Sequence, residues 1–298
     1  ALLIVTAILW AFSFSLIGEY LAGSVDSYFS VLMRVGLAAL VFLPFLRTRG
    51  QSPRTIVLYM LVGAMQLGIM YLLAFRAYLY LTVSEFLLFT VFTPLYITLI
   101  YDLLSGRKLR WGYLLSAALA VLGAAIIRYD KVSDHFWTGL LLVQLSNLCF
   151  AIGMVGYKRL MEVRPMPQHN AFAWFYVGAF IVAVAAWFML GNAQKLPTTT
   201  LQWSVLVWLG VVASGLGYFM WNYGATQVDA GTLGIMNNVH VPAGLLVNLA
   251  IWQEQPHWPS FISGALVILA SLWVHRRWVA PHSGQTADDR RRGSAQSE

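Results

Sequence analysis

Only one cysteine, Cys149, occurs in 298 residues, and it sits inside an apolar stretch. That excludes a disulfide framework and any metal site built from thiolates; Cys149 reads as a small core side chain. Charge is nearly as scarce, with Asp, Glu, Lys and Arg at 10% of residues against 59% hydrophobic. A soluble domain of this size rarely carries so little. Catalytic signatures are missing as well: there is no H-E-x-x-H, no G-x-S-x-G and no phosphate loop. Of the six histidines only His240 lies deep in an apolar run, too few for a metal site of imidazoles. The chain reads as a non-enzyme with no metal and no cofactor.

What the sequence does contain is apolar length. Ten runs are legible: Leu2–Leu21, Ser27–Leu46, Thr55–Leu81, Thr82–Leu103, Trp111–Ile127, Trp137–Leu160, Asn170–Leu190, Trp203–Thr226, Ala230–Trp252 and Trp258–Arg277. Most approach the ~20 residues that cross a hydrocarbon core of about 30 Å. The expected fold is all-α, a polytopic membrane protein of ten transmembrane helices in the lipid bilayer. Net charge +7 is a matter of topology rather than of nucleic acid. When loops alternate sides, one side collects Arg47, Arg49, Arg54, Arg107, Lys108, Arg110, Lys158, Arg159, Arg164, Arg276, Arg277 and the Arg290–Arg292 run. The other holds Arg128, Lys131 and Lys195. The positive-inside rule then puts both termini in the cytoplasm.

A pattern recurs along the chain. Thr90-x-x-x-Pro94 and Asn238-x-x-x-Pro242 stand 148 residues apart, each midway along an apolar run. Proline lacks an N–H and crowds the carbonyl four residues earlier, so the carbonyls of Thr90 and Asn238 are freed. Matching breaks at the membrane centre point to a transporter's substrate site, with Pro94 and Pro242 as hinges. Trp111 matches Trp258, and Gly63, Gly68 and Tyr71 match Gly210, Gly215 and Tyr218, all at an offset of 147. Residues 1–128 and 137–277 therefore read as two five-helix units. Five is odd, so the second enters the membrane inverted. Residues 278–298 are polar without apolar period and read as a disordered cytoplasmic tail.

Intramembrane charge narrows to Arg34, Arg76 and Glu85. An arginine facing a cavity can grip a carboxylate through two parallel hydrogen bonds, which makes Arg34 and Arg76 candidate carboxylate contacts. Arg76 and Glu85 flank the turn near Leu81 and can pair. Thr82-Val-Ser-Glu85 also fits a capping box, and interfacial snorkelling competes for both arginines. Deeper polar residues are the stronger candidates: Gln66, Thr90, Asn147 beside Gln144, Ser214-Tyr218-Asn222 on one helix face, and Asn237 and Asn238. Helix–helix hydrogen bonds are the competing use of such groups. Trp10, Phe14, Tyr71, Phe89 and Tyr218 can wall an apolar pocket around a small-molecule substrate.

Leu9-Trp10-Ala11-Phe12-Ser13-Phe14 and Arg34-x-x-x-Ala38-Ala39-Leu40, with Glu254 in the second half, resemble motifs of the drug/metabolite transporter superfamily, in its ten-helix branch of paired EamA-type repeats. Two positions depart from that pattern. Gly18 stands where the first helix has a lysine, matched by Lys158 in the sixth, and Arg107 replaces the first repeat's acid. The resemblance implies a secondary carrier working by alternating access, with the first, third, fourth, sixth, eighth and ninth helices around a central cavity. It leaves open uptake of a solute or export of amino acids or other small metabolites. A membrane-embedded enzyme or lipid-handling protein is the reading from another class. The oligomeric state stays open, a monomer being the simplest arrangement.

Overall fold

A computed structural model describes residues 2–104, 134–228 and 239–253, with scattered positions between 115 and 126, at 233 and 236–237, and between 258 and 273. The elements among them are all helical. Seven of the described helices are long and apolar enough to cross a bilayer: α1 (Leu2–Leu21), α2 (Ser27–Phe45), α3 (Pro53–Ala77), α4 (Val83–Leu104), α5 (His135–Val163), α6 (Gln168–Leu190) and α7 (Thr200–Ala225). An eighth, α8, spans His240–Val247 and continues as a π-helix over Asn248–Trp252. These are the expected first four and sixth to ninth segments. The fifth and tenth segments lie outside the described residues except at isolated helical positions, and the 278–298 tail lies wholly outside them.

Helix starts follow cap chemistry rather than hydropathy. Asp26 accepts from Phe29 N at 2.8 Å before α2. Ser52 caps α3 with Pro53 in its first turn, where a missing N–H costs nothing. The capping box expected at Thr82 is formed: Thr82 N donates to Glu85 Oε2 (2.9 Å) and Glu85 N to Thr82 Oγ1 (3.3 Å). Thr199 and Gln202 close a second box. It starts α7 three residues ahead of Trp203, in a polar stretch that an apolar-run reading passes over.

Two ends of the bundle can be told apart. At the first, Asp26 N donates to Lys195 O (2.8 Å), tying the turn after α1 to the loop after α6. The turn after α3 is there too, since the start of α5 stacks His135 on Tyr80. At the second end, Arg47 N donates to Asn170 Oδ1 (3.0 Å) and Tyr59 OH to Arg164 O (3.1 Å). Thus α1 begins at the second end and α5 at the first. In the packing, α3 lies on α6 and α7 on α2, while α4 lies on α5 and α8 on α1.

The α3–α6 crossing is made by glycine. A Cβ on Gly178 would stand 1.9 Å from Met60 O, and one on Gly63 the same distance from Phe175 O. Only small residues let two helix backbones come this close. Gly178→Val is therefore expected to lower the thermal unfolding temperature in detergent by forcing the pair apart, an overpacking cost of about 1–3 kcal/mol. An unchanged melting temperature would contradict the contact.

Irregular turns interrupt three of these helices at mid-length. α3 is π-helical over Ala64–Ile69 and α7 over Leu209–Leu216, and α4 tightens to a 3₁₀ turn at Thr90–Phe92. Such segments leave carbonyls without their usual helical donors, and side chains supply replacements. Trp10 Nε1 donates to Ala213 O (2.9 Å), and Tyr176 OH to Ser214 O (2.6 Å). At the α4 break, the carbonyl Pro94 cannot serve, Thr90 O, takes the Thr93 hydroxyl at 2.7 Å. Phe89 O accepts from Gln144 Nε2 (3.2 Å) and Asn147 Nδ2 (2.9 Å). Pro242 falls in the first turn of α8, just after a turn at Val239. Asn238, whose carbonyl it was expected to free, lies outside the described residues.

Candidate functional site

Beside the α4 break lies a cavity of about 640 Å³, open space at its mouth included. Eight of the residues expected to bind substrate line it: Trp10, Phe14, Arg34, Tyr71, Thr90, Asn147, Tyr218 and Asn237. They come from α1, α2, α3, α4, α5, α7 and the approach to α8. The cavity reaches from mid-depth toward the first end, along Ile17 on α1 and Tyr78 after α3. Toward the second end it is floored by rings. Trp10 packs on Tyr218 and Trp221 with centroids 4.7 and 5.1 Å apart, and Trp221 Nε1 reaches Met154 Sδ at 3.1 Å.

Arg34 is the unusual group. It is 3% exposed, and among the described residues no carboxylate pairs with it. Its Nε donates to Ser214 Oγ at 2.6 Å, and Tyr71 OH meets the same oxygen at 2.9 Å. The guanidinium carbon lies 4.1 Å above the Tyr71 ring, so the quadrupole of the ring partly offsets the missing counter-ion. Its Nη groups have no protein acceptor among the described residues. A buried guanidinium held by its Nε, with its other donors free beside a cavity, fits a carboxylate.

The cavity wall also holds polar atoms that the protein leaves unserved. Asn237 Nδ2, His240 Nδ1 and Tyr78 OH are buried without a hydrogen-bond partner, and all three residues line the cavity. Each such group costs about 1–3 kcal/mol unless a guest supplies the bond. Asn147 gives its amide nitrogen to Phe89 O, leaving its Oδ1 as an acceptor for a guest.

Other expected residues are engaged elsewhere. Gln66 and Asn222, fully buried, face each other beyond the ring floor, with Gln66 Nε2 donating to Asn222 Oδ1 at 3.1 Å. Glu85 serves the capping box, and Phe89 packs edge-on against Phe136. Arg76 is half-buried with its guanidinium carbon 5.9 Å from the Tyr28 ring and does not line the cavity or pair with Glu85. Pro94 stands beyond the 3₁₀ turn, and only the backbone of Pro242 is described.

Sequence reading passed over Ser13, Phe75, Tyr78, Phe86, Ser146 and Phe150, all on the cavity wall. Part of that wall was legible from spacing. Tyr71, Phe75 and Tyr78 fall four and three apart, one continuous helix face. Phe86 falls four residues before Thr90 on α4 and stacks on Tyr78, with centroids 4.3 Å apart.

The sequence pattern of the EamA-like transporter family matches the chain twice, over residues 1–129 and 137–276. The chain is 83% identical over 298 residues, the full length of both, to the biotin transporter of Escherichia coli (strain K12). It is 56% identical over 276 residues, covering 92% of this chain and 96% of the relative, to the probable biotin transporter of Pseudomonas aeruginosa. A solved protein crystal structure shares the fold at a TM-score of 0.63 and 17% identity, across 91% of this chain and 94% of the other. Seven described bilayer-length helices and relatives that are named transporters, not enzymes, mark a multi-pass membrane protein. With its family pattern repeated over nearly the whole length, the chain belongs to the EamA-like transporter family.

Proposed function

We propose that the chain is a secondary transporter that takes up biotin across the bacterial inner membrane by alternating access around this cavity. The observation that carries the reading is Arg34, buried beside the cavity without a protein carboxylate. Biotin brings a carboxylate for it, an apolar bicycle for Trp10, Phe14, Tyr71 and Tyr218, and a ureido group for the amides. The two named relatives support this substrate over amino acids or other exported metabolites. Labelled biotin should accumulate, saturably, in a biotin-auxotrophic host that lacks other carriers and makes this chain. Accumulation no greater than in the host alone would reject the reading.

The framework we infer is ten helices in two inverted five-helix units, 1–128 and 137–277. Three features support it: two matches to one family pattern, the opposite starting ends of α1 and α5, and the exchange of partners between halves. When each half is swapped for the other, α3 on α6 becomes α7 on α2, and α4 on α5 becomes α8 on α1. Both termini then lie in the cytoplasm and the second end of the bundle faces it, in keeping with its arginines. With Cys149 replaced by serine, a cysteine at Gln194 should react with a membrane-impermeant maleimide from outside, and one at Gln51 only after permeabilisation. Labelling of both from outside would refute this topology.

In this frame the cavity opens outward and the Trp10–Tyr218–Trp221 floor, backed by the Gln66–Asn222 bond, closes it toward the cytoplasm. Inward release needs that floor to part. Pro94 gives α4 its bending point, since that helix is already irregular beside it, and Pro242 marks the junction between the turn at Val239 and α8. The described lining residues span helices α1 to α5, α7 and α8 of one chain, in keeping with a working monomer.

A further inference from the structure

The chemistry of one wall goes beyond a generic polar lining. Thr90 Oγ1 lies 2.6 Å from Leu87 O and 3.2 Å from His240 Nε2. A carbonyl oxygen only accepts, so the threonine hydrogen goes to Leu87 O, and the remaining contact needs His240 Nε2 to be the donor. In the neutral ring the hydrogen on Nε2 leaves Nδ1 as an acceptor. That nitrogen is buried and unserved, as is the donor Nδ2 of Asn237 three residues earlier; the two residues are 4% and 2% exposed and both line the cavity. Phe14 stacks on the imidazole at 5.2 Å and fixes its plane.

We propose that Asn237 and His240 together read the cyclic urea of the substrate. Asn237 Nδ2 donates to the urea oxygen, and His240 Nδ1 accepts from an adjacent urea N–H. Thr90 is a positioning residue, holding the tautomer that makes Nδ1 an acceptor. The assignment rests on the biotin reading and deepens it by fixing the orientation: urea toward Asn237 and His240, carboxylate toward Arg34 on α2. It also sets specificity. A site with one donor aimed at the urea oxygen rejects a cyclic guanidine, which has only N–H groups there and is positively charged at neutral pH.

The test is competition against labelled biotin uptake in cells with no other biotin carrier, using unlabelled biotin and iminobiotin, in which an imino nitrogen replaces the urea oxygen. In the wild type, iminobiotin should need a concentration about 5- to 150-fold above that of biotin to halve uptake. Asn237→Asp puts an acceptor where the donor was and should reverse that preference, while His240→Ala should weaken biotin and iminobiotin together, since both present the ring N–H that it accepts. Membrane levels of each variant are measured by immunoblot, and the wild-type comparison needs no variant at all. Equal competition by the two compounds in the wild type would overturn the assignment alone. So would Asn237→Asp at wild-type levels with the wild-type ratio, or His240→Ala at wild-type levels that still needs only the wild-type concentration of biotin to halve uptake. Absence of any wild-type biotin uptake would overturn the transport reading and this assignment with it.

Discussion

Replacing Arg34 with methionine is expected to weaken biotin binding by about 30- to 5,000-fold without lowering the stability of the protein. Losing one partner of a buried, hydrogen-bonded charge pair costs about 2–5 kcal/mol. In this case the pair exists only when substrate is bound, because no carboxylate among the described residues faces the guanidinium. The empty protein therefore carries a buried cation that stabilises nothing by ion pairing, and an apolar side chain of similar length relieves that burden. Ser214 and Tyr71 keep their mutual bond, at 2.9 Å, when the arginine is gone. Binding to purified protein and thermal unfolding in the same detergent separate the two effects. The methyl ester of biotin, having no carboxylate, should bind wild type and Arg34→Met alike. A structural arginine would show the reverse, a falling melting temperature and intact affinity.

Slow exchange with intact binding is expected when Pro94 and Pro242 are both replaced by alanine. Alanine at 94 restores an N–H that can serve Thr90 O, a carbonyl now held by the Thr93 hydroxyl at 2.7 Å. Continuous helix then competes with the 3₁₀ turn, and the bending point is lost. The cavity wall hardly changes, since Gln144 and Asn147 still clamp Phe89 O across to α5. Equilibrium affinity should stay within about threefold, whereas flux falls about tenfold or more, an effect of roughly 1.4 kcal/mol or above on the barrier. Each single variant should fall between. Wild-type flux in all three would reduce the prolines to static kinks.

The residues that sequence reading identified well are those whose chemistry is local or periodic. Seven membrane-length runs coincide with described helices and an eighth does so over its second half, displaced by a few residues where a cap such as Thr199–Gln202 acts outside the apolar run. Thr82-Val-Ser-Glu85 encoded its box within four residues, so the capping use of Glu85 was readable in advance. Partner choice between distant helices was not readable. Gln66 and Asn222 had the depth and polarity of ligand groups, yet they bond to each other because α3 and α7 meet one turn beyond the cavity floor. Phe89 was counted for its ring, whereas its carbonyl is what ties α4 to α5. The π-helical turns have no sequence signature of their own, and Ala213 O shows its significance only once Trp10 Nε1 is seen to reach it. His240 entered the sequence reading only as one deep imidazole, too few for a metal site. The role proposed for it rests on the distances around Thr90.

The measurement closest to the central claim is counterflow in liposomes holding the purified chain. Vesicles preloaded with unlabelled biotin are diluted into a trace of labelled biotin, and the label that enters is followed over time. Wild type should draw label in transiently and saturably. Ala74 lines the cavity at 7% exposure, so Ala74→Trp should fill the substrate's place and abolish exchange while the protein stays folded in the membrane. A folded Ala74→Trp chain that exchanges biotin at the wild-type rate would show that the substrate does not pass through this cavity.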